Sequence, residues 1–222
     1  MLAVSPHPDD VELCCGGLIS RMSGKGYSVG IVDLTKGELG TEGTAEARVR
    51  EAGEAAKILG VQVRENMGFG DCRLDPGFDE AKTLAGVIRQ HRPSILICPY
   101  GDEQHPDHAA SRKLADKAVF LSKLIKVSTG QKAHKVRMVV YYMLHEQFSP
   151  SFLVDVTECY GKKLDAIKAY KSQRGLMLGM NGLLRSVELR DQFWGSTIGV
   201  KHGEPFFSKT PLRIDDLVAF SR

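Results

Sequence analysis

Residues 2–22, LAVSPHPDDVELCCGGLISRM, read as a strand, a polar turn and a helix in direct succession. Leu2–Val4 is a short apolar run fit for a strand. Val11, Cys15, Leu18 and Met22 recur at helical spacing and fall on one face. A dinucleotide-binding protein would show G-x-G-x-x-G between the two, and a P-loop protein its lysine. This chain has Ser5-Pro6-His7-Pro8-Asp9-Asp10 there. Carboxylates suit the positive end of a helix but repel a phosphate brought to it. The turn therefore argues against nucleotide binding. It offers a histidine and two aspartates, ligand types for a divalent cation.

The same alternation runs on through most of the chain. Val29–Leu34, Val61–Asn66, Ile95–Pro99 and Val136–Met143 are further strand candidates. Between them, Val49, Ala52, Ala56 and Leu59 mark the inner face of a second helix, with Gly60 as its C-cap. Leu84, Val87 and Ile88 mark a third, closed by Pro93. Pro106 opens a fourth, whose face is Ala110, Leu114, Ala118, Leu121 and Ile125. Thr157 is the expected cap of a fifth, with Tyr160, Leu164 and Ile167 inward. This is the pattern of an α/β domain: a Rossmann-like, mostly parallel sheet with helices on both faces. One domain over residues 1–222 is expected. From about residue 172 glycines punctuate the chain and only one helix, around Leu183–Phe193, is indicated. Residues 172–222 read as a C-terminal elaboration, a lid or an oligomer arm.

Bulk composition removes several function classes. With 30 basic and 27 acidic side chains the formal charge is +3, and no basic run is long enough for nucleic acid. The longest clean apolar stretch, Met138–Leu144, is far short of the roughly 20 residues of a membrane span. No signal peptide is visible at the start. Five cysteines without a C-x2-C pair suit reduced thiols. The expectation is a cytoplasmic protein with no nucleic-acid and no membrane partner.

A second polar cluster, His105-Pro106-Asp107-His108, follows the strand candidate Ile95–Pro99. With Pro106 at the first helical position, His105 and His108 stand three apart on one turn and can face one cleft. Strands one and four flank the switch point of common doubly wound sheets, where ligands bind. The two clusters can meet there. Together they offer two histidines and a carboxylate as metal ligands with a position left open, plus a spare carboxylate and histidine for proton transfer. Either cluster alone could be a capping aspartate beside a surface histidine; two of them, each after a strand, make that account weak. His91, His134, His145 and His202 read as surface or supporting residues.

The motifs S-P-H-P-D-D-V-E (Ser5–Glu12) and H-P-D-H-A (His105–Ala109) resemble those of the LmbE-like (PIG-L) N-acetylglucosamine deacetylases. The resemblance covers most of the chain and takes in Asp33-Leu34-Thr35, Gly37-Glu38-Leu39, Arg48, Tyr170-Lys171-Ser172-Gln173 and Gly203-Glu204-Pro205-Phe206. The last two segments look most like the branch that deacetylates N-acetylglucosaminyl malate in bacillithiol biosynthesis. By that resemblance His7, Asp10 and His108 would bind the metal, Zn2+ or alternatively Fe2+. Asp9 would be the general base, and His105 the acid that stabilises the oxyanion. Asp107 would orient His105, and Arg48 would hold a sugar hydroxyl. The partner implied is a small N-acetyl sugar conjugate, and relatives imply a homo-oligomer, such as a hexamer. Two departures stand out. Gln104 occupies a place where relatives often carry arginine. Leu183 is the nearest position to a late tyrosine that some relatives bring to the metal. A metal-dependent amidase on a thiol-sugar conjugate and a non-catalytic metal-binding module are the rival readings.

Overall fold

Leu2, Ala3, Val4 and Ser5 are all buried, because the strand they form (β1, Leu2–Ser5) has a neighbour on each side and helices on both faces. A central strand this short is completed by register: Leu2–Ser5 pair in parallel with Gly30–Asp33, and Leu2 and Ala3 with Leu96 and Ile97. The computed structural model describes residues 1–101, 103–177 and 182–215. Its strands continue as β2 (Gly30–Thr35), β3 (Val63–Phe69), β4 (Ile95–Pro99), β5 (Met138–Tyr142), β6 (Phe152–Asp155) and β7 (Gly203–Phe207). They form one sheet in the order β3-β2-β1-β4-β5-β7-β6. The first five are parallel, and β7 runs antiparallel to both β5 and β6.

Side chains alternate across a strand, and the two cores follow that alternation. Ala3, Ile31 and Ile97 point to one face, against helices α1 (Asp10–Gly24), α2 (Ala45–Leu59) and α5 (Tyr160–Lys168). Leu2, Val4, Val32 and Leu96 point to the other, against α3 (Phe78–His91) and α4 (Pro106–Ser122). The short α6 (Arg174–Met177) and the longer α7 (Leu183–Thr197) follow α5. Gly60 ends α2 at a positive φ of 75°, as its position after the apolar face implies.

Several local expectations shift. Val49 is 41% exposed, since Arg48 takes the buried place at the start of α2. Ile125 is 89% exposed, because α4 stops at Ser122. Thr157 opens a 3-10 turn, whose first amide is taken by the Asp155 carboxylate at 2.9 Å, and α5 starts only at Tyr160. On α5 the fully buried position beside Ile167 is Lys163, while Leu164 is half-buried.

The late stretch read as a lid or arm supplies a strand of the sheet. β7 lies between β5 and β6, and Glu204 within it is completely buried. Its carboxylate accepts the Gly17 and Leu18 amides at 2.9 and 2.7 Å, just past a non-helical residue, Cys15, that breaks α1. Lys163 Nζ bridges Glu204 and Asp191 at 2.7 and 2.6 Å. Pro205 is tolerated because β5 pairs only Phe206 and Phe207, leaving the proline's side of the strand free of β5. Residues 178–181 and 216–222 of that stretch, with Gly179, lie outside the described residues.

Candidate active site

The loops after β1 and β4 leave the sheet side by side, at the point where strand order reverses from β1 to β4. Both sequence clusters ride on these loops. Asp9 holds φ 113° and ψ −28°, a left-handed backbone that costs a non-glycine residue about 1–3 kcal/mol. Its side chain makes no capping bond to α1. Instead Asp9 Oδ2 accepts from Arg48 Nη2 at 3.1 Å, which removes the capping account. The same guanidinium donates to Pro8 O at 2.8 Å and Gly37 O at 3.1 Å. Gly37 has to be glycine: a Cβ there would lie 2.0 Å from Arg48 Nη1, and its φ is +64°.

Asp10 turns the other way. Its Oδ2 accepts the His7 amide at 2.9 Å and stands 3.2 Å from His7 Nδ1 and 3.5 Å from His108 Nε2. His108 Nε2 and His7 Nδ1 are themselves 3.2 Å apart. Tetrahedral zinc with ligands at about 2.0–2.2 Å has donor atoms roughly 3.3–3.6 Å apart, so this trio is spaced close to what one ion needs. His105 also brings a ring nitrogen within 4.8 Å of those of His7 and His108. Asp10 differs from His105 in bringing a carboxylate to both imidazoles, and so charge as well as spacing.

His105 caps α4 through Nδ1, which accepts the Asp107 amide at 3.2 Å. A nitrogen that accepts this bond carries no proton, so the neutral ring holds its hydrogen on Nε2. Burial, with His7 close by, further lowers the His105 pKa. In this arrangement Nε2–H is the group that His105 can turn toward the cleft. Asp107 departs from expectation, since its carboxylate is on His7 and not on His105. Asp107 Oδ2 is 3.2 Å from His7 Nε2 and accepts the Cys72 amide at 2.6 Å. The first turn of α4 points that carboxylate back across the cleft, away from its neighbour in sequence.

Asp71, missed in the sequence, completes the cage. Its Oδ1 lies 3.2 Å from His7 Nε2 and its Oδ2 accepts the Leu39 amide at 2.9 Å. It follows the C-terminal end of β3, the same signal that exposed the other two clusters. Burial alone would lower the His7 pKa, but Asp10, Asp107 and Asp71 outweigh it and push it up to about 12. Burial raises Asp10 too, yet His108 and His7 hold its carboxyl well below the usual range. Burial and the Asp10 charge push the Asp9 carboxyl up, while Arg48 and His7 pull it back down.

A cleft of about 620 Å³ opens over His7, Asp9 and His105. The glycine-rich loop 37–44 borders it through Leu39, Thr41 and Glu42, and Gln173 and Leu183 close the far wall. A larger, shallower groove of about 870 Å³ between α2 and α5 holds none of these groups. Gln104 is exposed. His91 pairs with Glu65 at 2.6 Å, His134 Nε2 donates to Pro93 O at 2.8 Å, and His202 stacks on Tyr160. None of the three lines the cleft. His145 is nearer, its ring stacked on His108 with centroids 5.5 Å apart.

A model of the family described as PIG-L, GlcNAc-PI de-N-acetylase, matches residues 2–119. The chain belongs to the PIG-L family. Diacetylchitobiose deacetylase of Thermococcus kodakarensis is 31% identical over 188 residues, 78% of this chain and 69% of the relative. The probable N-acetyl-alpha-D-glucosaminyl L-malate deacetylase 2 of Bacillus anthracis is 29% identical over 189 residues, 78% of this chain and 80% of its own. Among solved structures, the conserved protein TT1542 of Thermus thermophilus matches with a TM-score of 0.91 and 38% identity, covering 97% of both chains. GalB of Pseudomonas putida, a 4-carboxy-2-hydroxymuconate hydratase, matches with 0.82 and 26%, covering 97% of this chain and 98% of its own. The mostly parallel α/β sheet is therefore that of the family. Among the described residues no helix is long and apolar enough to cross a membrane.

Proposed function

We propose that this PIG-L protein is a metal-dependent hydrolase that removes the acetyl group from an N-acetylglucosamine unit of a larger conjugate. One observation carries the reading: His7, Asp10 and His108 converge at ligand spacing while the adjacent Asp9 is held apart by Arg48. A divalent ion on those three, zinc or Fe(II), would supply Lewis-acid polarisation and a water acidic enough to lose its proton near neutrality. Asp9, fixed by Arg48, takes that proton as the water's oxygen joins the acetyl carbon. His105 Nε2–H donates to the carbonyl oxygen as negative charge builds there, a contact worth about 10²–10³ in kcat. The C–N bond then breaks, and the proton held on Asp9 passes to the leaving amine. Arg48 thereby acts on the base before it acts on a sugar hydroxyl.

The wall chemistry bears on the aglycone. Among the described lining residues Arg48 is the one lysine or arginine, and its Nη atoms are engaged by Asp9, Pro8 and Gly37. Arg73 and Arg174 are exposed outside the cleft, and Arg112 pairs with Asp116 over the rings of Tyr100 and Tyr141. Malate brings two carboxylates to a wall that also carries Glu42 and Asp71. A neutral, hydroxyl-rich glycoside finds Thr41, Glu42 and Gln173 and fits better than the malate conjugate.

Acetate release by the metal-loaded protein from N,N'-diacetylchitobiose, N-acetylglucosaminyl malate and free N-acetylglucosamine tests this. The disaccharide should lead. Preference for malate would restore the bacillithiol reading, and metal binding without turnover of any would leave a binding module. Similarity to GalB favours a second reading, hydration of an unsaturated acid. Water addition to such an acid, with no acetate from any sugar, would establish it. A homo-oligomer belongs to the same proposal, supported by Leu189, Phe193 and Ile198, exposed on and just after α7. Light scattering reads it.

A further inference from the structure

A second cavity of about 190 Å³ adjoins the cleft and shares Leu13 and Leu183 with it. Leu144 and Val187, both buried, form its other apolar walls. It reaches the ligand set through His145, which lines it and stacks on the His108 ring. Arg190 stands at its edge with its donors engaged: Nε on Asp191 at 3.1 Å, Nη2 on Leu13 O at 2.6 Å, Nη1 on Met143 O at 3.4 Å.

We propose that this cavity is an acyl subsite, lined by Leu13, Leu144, Leu183 and Val187, that takes N-acyl chains longer than acetyl. The inference rests on the deacetylase reading and extends its substrate class to short-chain N-acyl amino sugars. The scissile amide has to lie at His7, Asp10 and His108, with sugar on one side and acyl group on the other. Sugar hydroxyls find partners in the larger cleft, at Thr41, Glu42, Asp71 and Gln173. In the smaller cavity, where the Arg190 donors are already taken, they would find only Ser186 and His145 among mostly apolar walls, and hydroxyls buried without partners are unfavourable. The acyl chain therefore belongs in the smaller cavity. An acetyl group needs room there for a single methyl, comparable to one water at about 30 Å³. A volume of about 190 Å³ leaves space for several further methylenes. The bond changes are those of deacetylation: the water oxygen joins the acyl carbon, the C–N bond breaks, and the amine takes the proton.

The test compares kcat/KM of the metal-loaded full chain on N,N'-diacylchitobioses carrying acetyl, propionyl, butyryl or hexanoyl groups. Burial of each added methylene should raise it about three- to fourfold as far as butyryl. Val187→Phe should reduce the butyryl-to-acetyl ratio by about tenfold or more. Ser186→Phe, at an exposed residue of the same rim on α7, should lower the ratio as well and guards against misfolding of the buried variant. A wild-type butyryl rate below the acetyl rate, or an unchanged ratio in both variants, overturns the subsite and leaves deacetylation standing. No turnover of any acyl sugar overturns both.

Discussion

Arg48 Nη2 lies 3.1 Å from Asp9 Oδ2, so α2 reaches across the cleft to hold the one carboxylate of the pair that His7 and His108 do not claim. Asp10, next in sequence, gives its carboxylate to His7 and His108. A left-handed backbone at Asp9 makes this divergence possible, and Gly37 leaves room for the arginine that maintains it.

Arg48→Lys should expose that dependence. Lysine keeps the charge but has no planar fork to reach Asp9, Pro8 and Gly37 together. Metal content should stay near wild type, while kcat falls about tenfold or more, the size of effect a small misplacement of a catalytic group produces. Unchanged kcat would show that Asp9 needs no such clamp.

His105 separates two ligand sets. As a hydrogen-bond donor outside the metal shell, His105→Ala should keep the ion and lose about 10²–10³ in kcat. Loss of the ion in atomic absorption would instead make His105 the third ligand in place of Asp10.

Metal uptake should release a proton. Asp10, Asp107 and Asp71 favour a protonated His7 ring in the metal-free protein at neutral pH, and the ring has to be neutral to bind an ion. Its folded-state pKa lies above the ordinary 6.5, so its contribution to metal-free stability is complete below pH 6.5 and is lost as pH rises toward 12. Metal affinity runs the opposite way, strengthening about tenfold per pH unit across the neutral range. Calorimetric titration with zinc in buffers of different ionisation enthalpy should find about one proton released. Zero would place the ion elsewhere.

Away from the site, Lys163→Met removes the cation between two fully buried carboxylates, Asp191 and Glu204. Breaking one partner of such a group costs about 3–5 kcal/mol. Urea unfolding should show that loss, and a change under about 1 kcal/mol would mean the carboxylates find other partners.

Much of this was legible in the chain. Leu2–Val4 and Ile95–Pro99 announced adjacent parallel strands, because buried strands are plain apolar runs, and the polar turns after them stood out. β7 was hidden because Gly203-Glu204-Pro205 has neither alternation nor apolar length; its place comes from Glu204 meeting Lys163 and the broken α1. Asp71 was hidden because a single aspartate in a loop carries no motif. The resemblance pairs Asp107 with its neighbour His105, whereas one turn of helix geometry sends its carboxylate to His7.

The division of work between Asp9 and Asp10 is decided by measuring metal content and kcat for Asp9→Asn beside Asp10→Asn. Asp9→Asn should keep a full complement of metal and lose about 10²–10⁴ in kcat, unrelieved by added zinc. Asp10→Asn should lose metal and regain part of its activity when zinc is supplied in excess. An Asp9→Asn protein that sheds its metal, or that turns over at the wild-type rate, would show that Asp9 is not the base.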